Sequence, residues 1–122
     1  EFAVHHPGPT VNPHNYEYSP GTSSSGSAAA VASNMVPLAL GTQTAGSTIR
    51  PSSYCGVFGM KPSFGIIPRT GILKTLDTLY HVSFMSRSVA DLKLLLNTLR
   101  VKGPNFPYVH EQMDDSSKIK KP

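Results

Sequence analysis

The 122-residue sequence has one cysteine, Cys55, and no long apolar segment. A single thiol cannot form an internal disulfide, which fits a reducing compartment, and its surroundings favour a buried small hydrophobic side chain. No apolar run approaches the ~20 residues that a membrane-spanning helix needs. The start of the sequence also lacks a basic-then-apolar signal peptide. We therefore expect no membrane span and a cytoplasmic location.

Charged residues are sparse, at 15% of the chain, although the formal net charge is +4. A basic balance can indicate nucleic-acid binding. Four of the lysines, however, lie within the last 21 residues, in a polar tail: Lys102, Lys118, Lys120 and Lys121. This position favours a solvated tail over a nucleic-acid footprint, so we expect no nucleic-acid partner.

Metal and phosphate motifs are also missing. Histidines occur at positions 5, 6 and 14, but their spacing matches no zinc pattern and no cysteine or carboxylate cluster joins them. The Gly-Lys-Ser/Thr of a Walker loop does not occur. We therefore expect no metal and no other cofactor.

Helix and strand patterns alternate along the chain, which predicts an α/β protein. The predicted helices cover residues 25–35, 49–55 and 88–99, and the predicted strands cover residues 38–40, 57–60 and 82–85. We expect the hydroxyl of Ser24 or Ser25 to cap the first helix. Ser88 and Asp91 form a capping-box-like pair at the start of the third. Residues 42–46 are predicted to be a loop.

Two stretches of small residues carry the most informative pattern: residues 20–32 around Ser23 and residues 41–51 around Ser47. Gly/Ser-rich sequence is often a flexible linker, yet the first stretch runs directly into an alanine-rich helix. A phosphate cradle is a second interpretation, because small residues before a helix expose backbone N–H groups. Nucleophilic catalysis by a serine is the third.

Ordered blocks around both stretches resemble the amidase signature family, whose members hydrolyse amides with a Ser–cis-Ser–Lys triad. The similarity covers about residues 2–100 and includes Pro7–Thr10, Asn12-Pro13, Cys55–Val57, Gly59–Pro62 and Arg87–Leu92. It implies a partial amidase-signature fold over residues 1–103, with a mixed β-sheet flanked by helices. For residues 104–122 we expect a polar, poorly ordered tail.

The resemblance also implies roles for individual residues. Ser47 matches the nucleophile, and Ser23 matches the bridging serine, which follows a cis peptide bond. The backbone N–H groups of Thr44, Ala45, Gly46 and Ser47 match the oxyanion hole. A serine hydroxyl needs a base to take its proton, and a desolvated lysine can serve as one. All seven lysines of this chain follow Ser47, whereas the family's catalytic lysine precedes the bridging serine.

The chain departs from the family pattern at several positions. Thr22 replaces the usual glycine before the bridging serine, and Arg50 stands three residues after Ser47, where many members have it at two. Gln43 stands where an aspartate is common, which removes a charge near the loop. Ala45 replaces a frequent glycine. Residues 79–81 look like an insertion ahead of the last predicted strand.

Three hypotheses follow. The first is part of a hydrolase that cleaves a non-peptide carbon–nitrogen bond in a small-molecule amide through a serine acyl-enzyme. It would be inactive alone because the lysine is absent, and its partner would be the remainder of the amidase domain. The second is a non-catalytic, amidase-derived protein that binds a partner or has no function. The third, a nucleic-acid or tRNA-linked assembly, is selected by no sequence feature.

Overall fold

A computed structural model describes residues 9–73 and 75–101. This part of the chain forms three helices and three strands, in the order α1 (Ser25–Ala32), β1 (Leu38–Gln43), α2 (Ile49–Tyr54), β2 (Phe58–Met60), β3 (His81–Ser86) and α3 (Val89–Leu99). The α/β prediction is confirmed, and every predicted element is present with shifted bounds. The predicted tail at residues 104–122 lies outside the described residues.

The three strands form an antiparallel sheet in the order β1-β3-β2. Leu40 lies opposite Phe84 in the β1–β3 pair, and Met60 lies opposite Phe84 on the other side. Because β3 is central, all of its residues after His81 are buried. The strand β3 therefore supplies the pairing partner for both β1 and β2, which precede it in the sequence.

Successive residues of β3 point to opposite faces of the sheet, and each face carries its own core. One core packs α3 and residues from the loop before β3 against the sheet: Ile66, Ile67, Val82, Phe84, Leu92 and Leu95. The other packs α1 against the opposite face: Ala28, Val31, Cys55 and Met85. Cys55 is fully buried, as predicted, and burial raises the pKa of its thiol.

The capping prediction is confirmed for α3 and wrong for α1. Ser88 Oγ accepts the N–H of Asp91 at 3.1 Å and donates to Asp91 Oδ2 at 2.7 Å. Ser24 occupies the N-cap position of α1, but its side chain makes no capping hydrogen bond. Its hydroxyl instead bonds to the backbone of Thr42, because β1 packs beside the start of α1.

The predicted loop at residues 42–46 is wrong at its first two positions. Thr42 and Gln43 belong to β1, where they lie opposite Val82 and His81. Pairing with a distant strand overrides the local turn composition, since β3 extends to His81 and offers partners for both.

None of the helices in the described part of the chain has the length and apolar character that a membrane span requires.

Candidate functional site

The first serine stretch packs against α2 at Gly21. Gly21 adopts φ +80°, and a Cβ added there would lie 2.7 Å from Pro51 Cα. Only glycine permits both this backbone conformation and this approach to α2. The peptide bond between Thr22 and Ser23 is cis.

Ser24 joins the two serine stretches. Its N–H donates to the carbonyl oxygen of Ser47 at 3.0 Å. Its Oγ accepts the N–H of Thr42 and donates to the Thr42 carbonyl oxygen, both at 3.3 Å. A Cβ added at Gly41 would lie 2.9 Å from Ser24 Oγ, so the glycine lets the strand and the serine approach closely.

The segment 44–47 connects β1 to the turn before α2. In the hydrogen-bond network of residues 9–73 and 75–101, no N–H group of this segment has an acceptor. The chain on both sides is fixed, because Gly46 O accepts the N–H of Arg50 at 2.9 Å and Gln43 Oε1 accepts the N–H groups of Thr48 and Ile49. The segment is therefore anchored at its ends while its own donors stay available.

Thr42 accepts hydrogen bonds from two further hydroxyl groups, those of Thr48 and Tyr80. Thr48 Oγ1 hydrogen-bonds to Ser83 Oγ on β3 and donates to the Thr42 carbonyl oxygen at 3.3 Å. Tyr80, within the predicted insertion, donates from its phenol to Thr42 Oγ1 at 2.8 Å. Arg69 holds that insertion by donating to the carbonyl oxygens of Asp77 and Tyr80. Thr42 thus links the serine stretches to the central strand and to residues 79–81.

A cavity of about 330 Å³ opens beside Ser23. Its lining includes both hydroxyl-bearing and aliphatic side chains: Ser23, Ser24, Ser27, Leu40, Ile72 and Val82. Ser23 is exposed and Ser47 is half-buried. Within the described residues, a backbone hydrogen bond joins Ser24 to Ser47, and no hydrogen bond joins the hydroxyls of Ser23 and Ser47.

Of the histidines at positions 5, 6 and 14, the structure describes His14. His14 lies with its Nε2 2.9 Å from the carbonyl oxygen of Cys55. His5 and His6 fall outside the described residues. Among the residues that the structure describes, no group of three or more histidine, cysteine, aspartate or glutamate side chains could hold a metal ion.

Sequence reasoning missed Gln43, Thr42 and Tyr80 as parts of the site. Gln43 and the insertion drew attention only as departures from a pattern. Their roles depend on partners up to 38 positions away, as in the bond from Tyr80 to Thr42. No local pattern carries that information.

Comparison with known proteins gives this geometry a family. The sequence model described as Amidase matches residues 3–120. The chain belongs to the amidase family. A glutamyl-tRNA(Gln) amidotransferase subunit of Thermus thermophilus is 45% identical over 97 residues, which are 80% of this chain and 20% of the relative.

Solved amidase structures agree with the fold. The native peptide amidase of Stenotrophomonas maltophilia is 38% identical, with a TM-score of 0.73 over 80% of this chain and 20% of its own. The 6-aminohexanoate cyclic dimer hydrolase is also 38% identical, with a TM-score of 0.72 over 80% of this chain and 21% of its own. The resemblance and the partial amidase fold are confirmed. The chain spans about a fifth of the length of these relatives.

Proposed function

We propose that this amidase segment supplies the serine pair and the oxyanion-binding loop of an amide hydrolase. Ser47 is the nucleophile, and Ser23 is the bridging serine between Ser47 and a base. The observation that carries the proposal is the hydrogen bond from Ser24 N–H to the Ser47 carbonyl oxygen at 3.0 Å. It brings the bridging stretch directly beside the nucleophile.

The reaction is acyl transfer. Ser47 Oγ attacks the amide carbonyl carbon, and its proton passes through the Ser23 hydroxyl to the base. The carbonyl oxygen becomes an oxyanion, which the N–H groups of Thr44, Ala45, Gly46 and Ser47 are available to bind. Donors of this kind contribute ~3–4 kcal/mol each to transition-state stabilisation in other enzymes. The amine then leaves with a proton, and water cleaves the Ser47 ester.

The base is a lysine that this 122-residue chain does not supply. All seven lysines follow Ser47. The cavity beside Ser23 suits an incoming amine, because hydroxyls of Ser24 and Ser27 can bind it while aliphatic walls favour its neutral form. The remainder of an amidase domain would provide this lysine, so we expect little or no turnover from the chain alone.

The substrate is proposed only as a class. The relatives include one component of an amidotransferase, a peptide amidase and a hydrolase of a cyclic dimer. Chemistry at an amide group is what these names have in common. We propose cleavage of the carbon–nitrogen bond of a small-molecule amide as the reaction of the complete enzyme.

A chimera tests the proposal. Residues 9–101 replace the homologous segment of the Stenotrophomonas peptide amidase, which keeps its own remaining four-fifths. We expect the chimera to hydrolyse an amide substrate and to lose at least about 10³-fold in kcat with Ser47→Ala or Ser23→Ala. Ser53→Ala, at an exposed position of α2, is the matched serine control and should leave kcat unchanged.

Labelling of the 122-residue chain tests the need for an outside base. A fluorophosphonate probe should not label the isolated chain, but should label Ser47 in the active chimera. Strong labelling of the isolated chain that Ser47→Ala abolishes would contradict the need for an outside base. A folded chimera without activity would instead favour the non-catalytic hypothesis.

A further inference from the structure

The loop 44–47 carries the proposed nucleophile, so the groups that fix this loop decide where the Ser47 hydroxyl points. One anchor is Ser24, through the Ser47 carbonyl oxygen. The other is Gln43, the last residue of β1, which is only 4% exposed. Because water cannot readily reach the Gln43 side chain, its hydrogen bonds face little competition from solvent.

A single side-chain atom of Gln43 accepts two hydrogen bonds. Oε1 accepts the N–H of Thr48 at 2.8 Å and the N–H of Ile49 at 2.9 Å. An amide oxygen has two lone pairs, so these two donors saturate it. Both N–H groups lie at the start of α2, where no intrahelical carbonyl is available to them. The side chain therefore closes a ring from the end of β1 to the start of α2.

Building on the proposed function, we infer that Gln43 is a positioning residue for amide cleavage. It occupies the N–H groups of Thr48 and Ile49 and leaves those of residues 44–47 for the substrate oxygen. Gln43 itself does not touch the reacting atoms. A misplacement of about 1 Å at a catalytic site can cost ~10²-fold in rate. Opening the ring is therefore expected to lower kcat far more than it changes KM.

Two substitutions separate hydrogen bonding from charge at this position. Gln43→Glu keeps an acceptor of the same length but can place a negative charge close to the developing oxyanion. Gln43→Met keeps the length and the burial but removes the acceptor. If the ring is the important feature, Gln43→Glu retains the loop structure and Gln43→Met does not.

Amide hydrogen exchange in the full 122-residue chain measures directly whether Gln43 protects the N–H groups of Thr48 and Ile49. We expect slow exchange at Thr48 and Ile49 in the native chain and in Gln43→Glu. In Gln43→Met the exchange should be at least about 10-fold faster at these two sites, since a free-energy loss of ~1.4 kcal/mol gives that factor. Unchanged exchange in Gln43→Met would overturn the inference.

The kcat and KM of the amidase chimera measure how the Gln43 ring affects catalysis. Gln43→Met should lower kcat by about 10²-fold while KM stays within about 3-fold, and Gln43→Glu should recover part of that loss. Ser52→Ala is the matched control, because it removes a different bond in the same turn, from Ser52 Oγ to the Thr48 carbonyl oxygen at 2.8 Å. Its kcat should stay close to that of the unsubstituted chimera.

The outcomes distinguish the two proposals. An active chimera in which Gln43→Met keeps its kcat overturns the positioning role and leaves the proposed function intact. Equal losses in Gln43→Met and Ser52→Ala assign Gln43 a purely structural part, which also overturns it. An inactive parent chimera counts against the proposed function, and the exchange rates then still decide whether the ring exists.

Discussion

The two serine stretches have similar composition but differ in which groups are hydrogen-bonded. In the first, the hydroxyls of Ser24 and Ser27 bond to the backbone of β1, and Gly21 packs against Pro51. In the second, the N–H groups of residues 44–47 have no acceptor within the described structure. One stretch is bonded into the fold, and the other is held at its ends with its donors available.

This difference shows how a scaffold can prepare a reactive loop. The bonds of the first stretch stabilise β1 and fix the position of Ser24, which in turn holds the Ser47 carbonyl oxygen. The second stretch is not required to stabilise itself, because its neighbours do so. Apart from the proposed bridging serine Ser23, substitutions in the first stretch should therefore mainly change stability, whereas substitutions at residues 44–47 should mainly change chemistry.

The largest stability effect should come from the close contact of the first stretch with α2. Gly21→Ala introduces a side chain at φ +80° and places its Cβ 2.7 Å from Pro51 Cα. We expect a loss of about 2–4 kcal/mol in the free energy of unfolding, measured by urea denaturation.

Gly65 offers the matched glycine control. It also has a positive φ, +83°, but a Cβ added there meets no atom within 4 Å. Gly65→Ala should therefore show only the conformational cost, about 1–2 kcal/mol. Equal losses for both variants would mean that the packing against Pro51 contributes nothing.

A smaller effect is expected for the serine that joins the two stretches. Ser24→Ala leaves the N–H of Thr42 without its acceptor, which should cost about 1–2 kcal/mol in unfolding free energy. Ser25→Ala is the neighbouring control, since alanine is the better helix former at this first position of α1 and should not destabilise it. A neutral Ser24→Ala would show that the first stretch does not depend on this hydroxyl.

The smallest effect concerns the thiol beneath the first stretch. Cys55 is fully buried, its Sγ donates to the Pro20 carbonyl oxygen at 3.5 Å, and burial raises its pKa. The unfolded chain therefore loses the thiol proton first as the pH rises, and the folded state is destabilised from the ordinary cysteine pKa upwards. We expect stability to fall by at most ~1.4 kcal/mol per pH unit in that range.

The slope of stability against pH, compared between the native chain and Cys55→Ala from about pH 8 to about pH 10, isolates this contribution. Other groups that titrate there act equally on both proteins, and the lost packing of the thiol shifts the alanine variant by a constant. Parallel slopes would show that the Cys55 pKa is the same in the folded and unfolded states.

Local chemistry was sufficient for much of the element order. The Ser88–Asp91 pair correctly predicted the start of α3, because a capping box involves residues only three positions apart. The same reasoning failed for Ser24, whose hydroxyl found a partner on β1 instead. Local composition likewise predicts a loop at Thr42 and Gln43, because nothing in the neighbouring sequence indicates their pairing with β3.

The sequence by itself determined the family, the order of helices and strands along the chain, and the two serines on which the proposed chemistry depends. These follow from residue types at short spacings, where backbone propensity, capping and ordered motifs act. Tertiary structure alone decided the order β1-β3-β2, the contact between Ser24 and Ser47, and the ring that Gln43 closes over the loop. Each of these depends on which buried donors and acceptors become neighbours, and packing of the chain settles that only after its elements have formed.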